Sequence, residues 1–375
     1  AVGPLLGGFI TTFLSWRVGF LLEVVIIAVV FCGIKLVRDV AYTGPRTIDA
    51  VGALLSVLGM GGLVLGILAW QEGGESVGAL LAIGVIAMGA LVYWLVRRKR
   101  AGKPTLIDPD LFSSKLFRFG ISEQMLQQIA LGGVMIALPI YLQMVLEYNA
   151  LQAGLSLAPL SLSMFAVAVL AGKKAGQRRP AGIIRLGFVL LTVGVAVLIP
   201  IVPRAEFGWA LLVPLLIAGS GLGLLVSQLN NYTLSPISDE RVSEAAGVNS
   251  AAGSFGLSFG LAFAGAIMLA SLSLIFTKMA DASTVLPAAE KQQVAQALEE
   301  NAELMTNTHL AELLVNQPPE IQNEIIRINT EARPISLQVA LLIPLLAGLV
   351  GLFNSFRMMR LPDPAPASTD GTILG

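Results

Sequence analysis

The chain has 375 residues, of which 55% are hydrophobic and only 13% are charged, and its mean hydropathy is +0.79. A soluble domain carries about 25% charged residues, so this composition excludes an ordinary water-soluble fold and indicates a lipid environment. The 24 basic and 24 acidic residues balance, which gives no footprint for nucleic acid. One cysteine and one histidine exclude a disulfide framework and argue against zinc or histidine-based catalysis. We therefore expect no metal, no cofactor and no enzyme.

Apolar runs follow one another along the whole chain, separated by charges and by Gly and Pro. A helix that crosses a bilayer uses roughly 20 apolar residues, and backbone groups in lipid must be hydrogen-bonded internally. The runs therefore predict an all-α polytopic membrane protein with about ten spans, the first incomplete. The predicted spans are 1–13, 18–36, 50–70, 76–96, 119–142, 152–171, 186–202, 209–229, 245–276 and 335–356.

Basic residues predict the orientation of these spans. One alternate set of short loops and ends holds 18 of the 24 Lys and Arg residues, whereas the other short loops hold only Arg17 and Arg204. Because cytoplasmic loops retain Lys and Arg, we expect the first set and the carboxy-terminal tail 363–375 to be cytoplasmic. We expect an integral membrane protein of a bacterial plasma membrane.

The stretch 277–334 is the one long polar connection, with 4 basic and 9 acidic residues. It is predicted to lie outside the membrane, with one helix beginning near Pro287 and another running from Pro318 to Arg333-Pro334. The second helix carries an apolar stripe made of Ile321, Ile325 and Ile328. A solvated connector whose stripe packs on neighbouring loops is favoured, and a gate or a partner-docking cap is the alternative.

Polar side chains inside the spans are the strongest functional signal, because burying them in lipid is costly. Glu123 lies near the inner end of span 119–142, where Gln124, Gln127 and Gln128 come after it. The i, i+4 pairs make one side of this helix polar for two turns, so we expect that side to face a cavity. Asn249, near the start of span 245–276, is a further candidate for lining a cavity, although capping of the helix end explains it equally well.

Two glutamates are candidates for proton coupling. Glu123 and Glu23, which lies one to two turns into span 18–36 from its outer end, could each take up a proton on one side of the membrane and release it on the other. Interfacial snorkelling or an interhelical hydrogen bond is the alternative for both.

Small residues predict close helix contacts. Gly256 and Gly260 belong to a series of small residues at every fourth position of span 245–276, which indicates an interhelical seam. Near the amino terminus, Pro4 kinks the first run while Gly3, Gly7 and Gly8 allow another backbone to approach. Tight packing and a role in gating both explain that segment.

Several motifs resemble those of one transporter family. Residues 3–8 resemble the second half of the antiporter signature in the fifth helix of major facilitator superfamily drug exporters, and residues 15–21 resemble the segment after that signature in the fourteen-span drug/proton antiporter branch. Residues 138–143, 151–155 and 360–362 are also similar to that branch, and so is the long outer loop before the last span. The branch usually has Asn where Glu23 stands, so a family role does not carry over to that residue.

The resemblance implies a chain that begins at the fifth span and lacks the first four, which transport would require. The implied organisation is the end of an amino-terminal half, two linker spans, a basic cytoplasmic linker, a six-helix carboxy-terminal half and a tail, at residues 1–36, 37–96, 97–118, 119–362 and 363–375. The implied activity is proton-coupled export of lipophilic or amphipathic compounds through a lipid bilayer by alternating access. A truncated, structural or regulatory membrane protein without transport remains the alternative.

Overall fold

The computed structural model describes residues 3–34, 49–71, 74, 76–173, 179–287, 291, 292, 294 and 306–361. The tail 363–375, Glu290 and all the basic residues between spans two and three lie outside the described residues. The described part contains eleven α-helices. They are α1 Gly3–Phe13, α2 Trp16–Cys32, α3 Ala50–Gln71, α4 Val77–Arg100, α5 Lys115–Met144, α6 Ala150–Lys173, α7 Pro180–Ile201, α8 Leu212–Leu234, α9 Val242–Ala282, α10 Asn307–Leu313 and α11 Pro319–Met358.

Eight helices are long and apolar enough to cross a membrane, namely α3 to α9 and α11. The 11 residues of α1 and the 17 residues of α2 are shorter than the roughly 20 that a span uses. Within the described residues every long element is a helix, so the all-α polytopic class predicted from the apolar runs is confirmed.

Helices α5 to α9 and α11 pack into one bundle. Its contacts run chiefly from α5 to α9 and α11, and from α8 to α6 and α7. The core contains fully buried aromatic and aliphatic side chains, among them Phe188, Leu191 and Tyr232. Because lipid tails are as apolar as these side chains, close packing rather than exclusion from water must hold the helices together.

Glycines allow this close packing between α5 and α9. A Cβ placed on Gly256 would lie 2.6 Å from the carbonyl oxygen of Met125, and one on Gly260 would collide with the carbonyl oxygen of Ile129. From the α5 side, a Cβ on Gly132 would lie 2.6 Å from the carbonyl oxygen of Leu257. The small-residue face of α9 thus lies against the α5 backbone.

Helices α3 and α4 form a hairpin on the outside of this bundle. A Cβ on Gly62 would lie 2.8 Å from the backbone nitrogen of Gly84, so the two helices nearly touch. Ile67 of α3 is buried with Ala262 and Ala266 of α9. Helix α1 packs on α6, whereas α2 has no buried residue.

The last helix differs from the expectation that Arg333-Pro334 ends an outer helix. Helix α11 continues through Pro334 to Met358. Proline in a helix interior costs about 3 kcal/mol, but Ile325, Ile328 and neighbouring residues are buried against the carboxy-terminal part of α9 and against Leu310 of α10. This burial keeps the first turns of α11 aligned with the rest of the helix, and it gives the isoleucine stripe a packing surface.

Candidate functional site

The polar side of α5 forms the centre of the candidate site. Ser114 caps the helix, because its hydroxyl accepts a hydrogen bond from the amide of Phe117 at 3.4 Å. Two turns further on, Glu123 is 0% exposed and Gln127 is 1% exposed. The structure therefore buries the two side chains that the i, i+4 spacing predicted to share a face.

Glu123 is buried in the bundle, one turn from a close contact between α5 and α8. Gly120, one turn earlier, packs against Thr233 of α8 so closely that a Cβ there would collide with its hydroxyl. At 100° per residue, Glu123 and Gln127 lie within about 60° of Gly120 around the α5 axis. Both carboxylate oxygens of Glu123 are buried without a hydrogen-bond partner in the described part of the chain.

Gln124 and Gln128 lie on the adjacent side of α5 and face α9. A Cβ on Gly253 would lie 3.1 Å from Nε2 of Gln124 and 3.7 Å from Cγ of Gln128. One turn before Gly253, Asn249 is buried and donates from Nδ2 to Oδ1 of Asn230 on α8 at 3.2 Å. Asn249 thus lies one turn of α9 away from the residue that Gln124 and Gln128 face, and we refer to these three residues together with Glu123 and Gln127 as the polar cluster.

This cluster is rich in acceptors that have no donor. Within the described residues, the oxygens of Glu123, Gln127 Oε1, Gln128 Oε1 and Asn249 Oδ1 are buried without a hydrogen-bond partner. Each buried unsatisfied group costs about 1–3 kcal/mol. The arrangement can be satisfied by a proton on Glu123, by water or by donor groups of a bound molecule, and it contains no set of His, Cys, Asp and Glu that could hold a metal among the residues described.

The other predicted site residues do not join this cluster. Glu23 is exposed on α2, and it makes neither a hydrogen bond nor an ion pair with another residue that the structure describes. A Cβ on Gly3 or Gly7 would meet nothing within 4 Å, whereas one on Gly8 would lie 2.5 Å from the carbonyl oxygen of Ala150. The side chain of Pro4 lies outside the described residues.

An ionic network joins α4, the segment before α5 and the start of α9. Lys99 Nζ lies 2.7 Å from Asp108 Oδ2, and Arg241 Nη2 lies 3.1 Å from the same atom. The amide of Asp108 donates to Glu244 Oε1 at 2.6 Å. Burial would raise the pKa of Asp108, but the hydrogen bond from Lys99, the Asp110 amide and the charge of Arg241 outweigh it and lower the pKa below its usual value. Asp108, with Lys99, Arg241 and Glu244, therefore connects these three elements.

Asp49 anchors the same end of the α3–α4 hairpin. It is 4% exposed and accepts hydrogen bonds from the Gly52 amide, from Trp94 Nε1 at 3.0 Å and from the Leu106 amide. Burial would raise its pKa, but these hydrogen bonds and the charge of Arg98 lower the pKa below its usual value. Sequence reasoning missed this residue, because its partners Trp94 and Leu106 are 45 and 57 positions away.

Eight membrane-length helices with glycine-lined contacts and a buried polar cluster define an integral membrane protein. The family model described as Major Facilitator Superfamily matches residues 46–261, and the chain belongs to this family of transporters, not to an enzyme family.

Curated relatives are more distant. The chain is 28% identical over 275 residues to the "Putative multidrug resistance protein MdtD" of Yersinia pestis (strain Pestoides F) and to the protein of the same name from Yersinia pseudotuberculosis serotype O:1b (strain IP 31758). Each match covers 71% of this chain and 57% of the relative. The chain thus spans little more than half the length of these relatives.

Proposed function

We propose that the protein is part of a proton-coupled antiporter that exports drugs or other amphipathic organic compounds by alternating access. Family membership supports transport, and the name of the relatives supports multidrug efflux. In this proposal α5 to α9 and α11 form the carboxy-terminal half, α3 and α4 are the linker pair, and α1 and α2 belong to the other half. The membrane is the bacterial plasma membrane, with the α4–α5 connection in the cytoplasm.

The observation that carries the coupling proposal is the burial of Glu123 without a partner among the described residues. An ionised carboxylate in this place would lack both water and a counter-charge, which is costly in a membrane interior. When access to the cytoplasmic side opens, water reaches the carboxylate and the proton can leave. Alternation between the two environments therefore exchanges one proton per cycle.

The neighbouring amides suit the substrate side of this exchange. Gln124 and Gln128 are partly exposed and border α9 at Gly253. Their amides, together with that of Asn249, offer donors and acceptors within a largely apolar bundle, which is the composition of small-molecule sites. A substrate that binds there would compete with the proton for the same polar cluster.

Glu123→Gln tests the coupling. Proteoliposomes should contain the protein encoded by the complete gene, and the flux of a lipophilic fluorescent dye should be compared with and without an imposed pH gradient. We expect the wild type to be accelerated by the gradient and Glu123→Gln to keep only the flux seen without a gradient. The matched control, Glu312→Gln, changes an exposed outer glutamate and should behave as the wild type.

Two outcomes would contradict the proposal. An unchanged gradient dependence of Glu123→Gln, with normal folded yield, would remove this residue from coupling. A folded wild type that moves no dye in either direction would instead favour a structural or regulatory membrane protein.

A further inference from the structure

The start of α7 and the end of α11 form a surface on which arginines lie over exposed aromatic rings. The two helices pack closely there, because a Cβ on Gly351 of α11 would collide with an aromatic side chain of α7. The guanidinium of Arg185 reaches from α7 to α11 and lies 5.5 Å from the centre of the Phe356 ring. The guanidinium of Arg357 lies 5.9 Å from the centre of the Phe353 ring. Cation–π contacts therefore hold two charged groups from neighbouring helices at one edge of the bundle.

An apolar stripe of α11 leads along the helix to these arginines. Its side chains are exposed and recur at intervals of three or four residues, which is the spacing of one helix face. They are Leu342, Leu346, Leu349, Val350, Phe353 and Phe356. From first to last the stripe rises about 21 Å at 1.5 Å per residue, which is more than half of a hydrocarbon core about 30 Å thick. Arg357 and Arg360, both exposed, follow it directly. The face is therefore apolar over one membrane leaflet and basic at its end.

This surface has an excess of positive charge. Arg185, Arg357 and Arg360 make no ion pair with an acidic side chain that the structure describes. Residues 172–186 contain five basic residues and no acidic one, and residues 355–375 contain two of each kind. The two segments together, including their residues outside the described part, thus hold seven basic and two acidic residues, a net charge of +5. Acidic residues of these segments therefore do not balance the arginines.

The arginines determine which head group this surface prefers. Lipid chains cover an exposed apolar stripe of a membrane-embedded helix whatever their head group, whereas clustered basic residues at the end of a span attract anionic head groups. A guanidinium that lies on a ring keeps N–H donors at the edge of its plane and binds a phosphate through two parallel hydrogen bonds. The ring contacts also orient the guanidinium groups before binding, which lowers the cost of ordering them. A zwitterionic head group adds a cation to a surface that is already positive, so charge complementarity favours an anionic phospholipid.

We propose that the start of α7 and the end of α11 form a binding site for an anionic phospholipid. The phosphate lies on Arg185 and Arg357, and one acyl chain follows the stripe from Phe353 towards Leu342. The proposal requires only that the bundle is embedded in a bilayer. It therefore does not rest on the proton coupling or the export activity proposed above.

Native mass spectrometry with two lipids of identical acyl chains tests the head-group preference. The protein from the complete gene is purified in a neutral detergent and titrated with dioleoyl phosphatidylglycerol or with dioleoyl phosphatidylcholine. We expect the first phosphatidylglycerol to bind at least tenfold more tightly than the first phosphatidylcholine. Equal affinities would overturn the proposal. Displacement of bound phosphatidylglycerol by an equal concentration of soluble glycerol phosphate would also overturn it, because the site would then bind free phosphate.

Variants of the arginines locate the site. The double variant Arg185→Gln/Arg357→Gln should weaken the first phosphatidylglycerol at least fivefold and leave phosphatidylcholine unchanged. The double lysine variant at the same positions should retain part of the affinity, because it keeps the charge but loses the two-pronged geometry. The matched control Arg97→Gln/Arg100→Gln removes two exposed arginines at the end of α4 and should leave the first phosphatidylglycerol unchanged.

The variants also decide between a site and a general attraction of lipid to positive charge. An equal loss of affinity in the glutamine variant and in the α4 control would indicate general attraction and would refute the site. An unchanged affinity in the glutamine variant, eluting as folded protein in size-exclusion chromatography, would refute the assignment to Arg185 and Arg357. Phe356→Leu keeps every charge and removes the ring beneath Arg185, so we expect a smaller loss than in the glutamine variant.

Discussion

The close contact between α9 and α5 predicts that the stability of the bundle depends on glycine at position 256. In Gly256→Ala, the new methyl carbon would lie 2.6 Å from the carbonyl oxygen of Met125 and 3.2 Å from both its carbonyl carbon and its Cα. These atoms belong to the backbone of α5, so no side-chain rotation relieves the collision. The two helices must move apart by several tenths of an ångström.

Separation of the helices loses the close contacts on which packing in lipid depends. Overpacking of a well-packed core costs about 1–3 kcal/mol. The loss of stability in Gly256→Leu should exceed that in Gly256→Ala, because a larger side chain needs more displacement of the helices. Helix propensity alone would favour alanine over glycine by about 1 kcal/mol. The net effect is therefore a loss only if the collision dominates.

Gly247→Ala is the matched control, because Gly247 lies on the same helix and a Cβ there would meet nothing within 4 Å. Folded yield and the midpoint of thermal unfolding are measured in detergent by size-exclusion chromatography after heating. We expect the folded yield and the thermal midpoint of Gly256→Ala to fall below those of the wild type, and those of Gly247→Ala to equal or exceed them. Equal midpoints for the two variants would show that the α5–α9 seam does not limit stability.

Two further predictions concern the buried Asp49 and the orientation of the chain in the membrane. Asp49→Asn should lower stability by about 1–3 kcal/mol at neutral pH, because it weakens charged hydrogen bonds to buried donors such as Trp94 Nε1. Folding lowers the pKa of Asp49 from 3.8, so its contribution to stability is complete above pH 3.8 and is lost as the pH falls below that value. The thermal midpoint of the variant should therefore change less between pH 5 and pH 3 than that of the wild type. Parallel curves of midpoint against pH would contradict this prediction. After Cys32→Ser, single cysteines at Lys103 and Glu320 should react with an impermeant maleimide from opposite sides of the membrane, and labelling from one side would refute the predicted topology.

The sequence predicted the class of fold because lipid imposes one requirement on every span. Apolar runs of about 20 residues must be helices, and the structure has eight of them. The polar side of α5 was equally readable, since Glu123 and Gln127 interrupt an apolar run at helical spacing. Local pattern therefore sufficed wherever one helix carries the signal.

Local pattern failed where the energy comes from distant segments. Pro334 predicted the end of a helix, but packing of the preceding turns against α9 and α10 outweighs the missing hydrogen bond. Arg333 was counted with a polar loop, because nothing in the neighbouring sequence shows that three helices enclose it. Asp108 likewise gains its role from Arg241, far along the chain at the start of α9.

The ionic network around Asp108 restricts how α3 and α4 can move. Asp108 joins Lys99 of α4 to Arg241 at the start of α9, and Ile67 of α3 is buried on the middle of α9. The α3–α4 hairpin is therefore attached to α9 at two levels, and α9 is in turn attached to α5 through Gly256 and its neighbours. In the alternating-access cycle that we propose, the hairpin must move together with the six-helix bundle, because moving it alone would break both the ion pairs and the apolar contact. The interface that opens in that proposed cycle would then lie on the remaining faces of the bundle and not along α3 and α4.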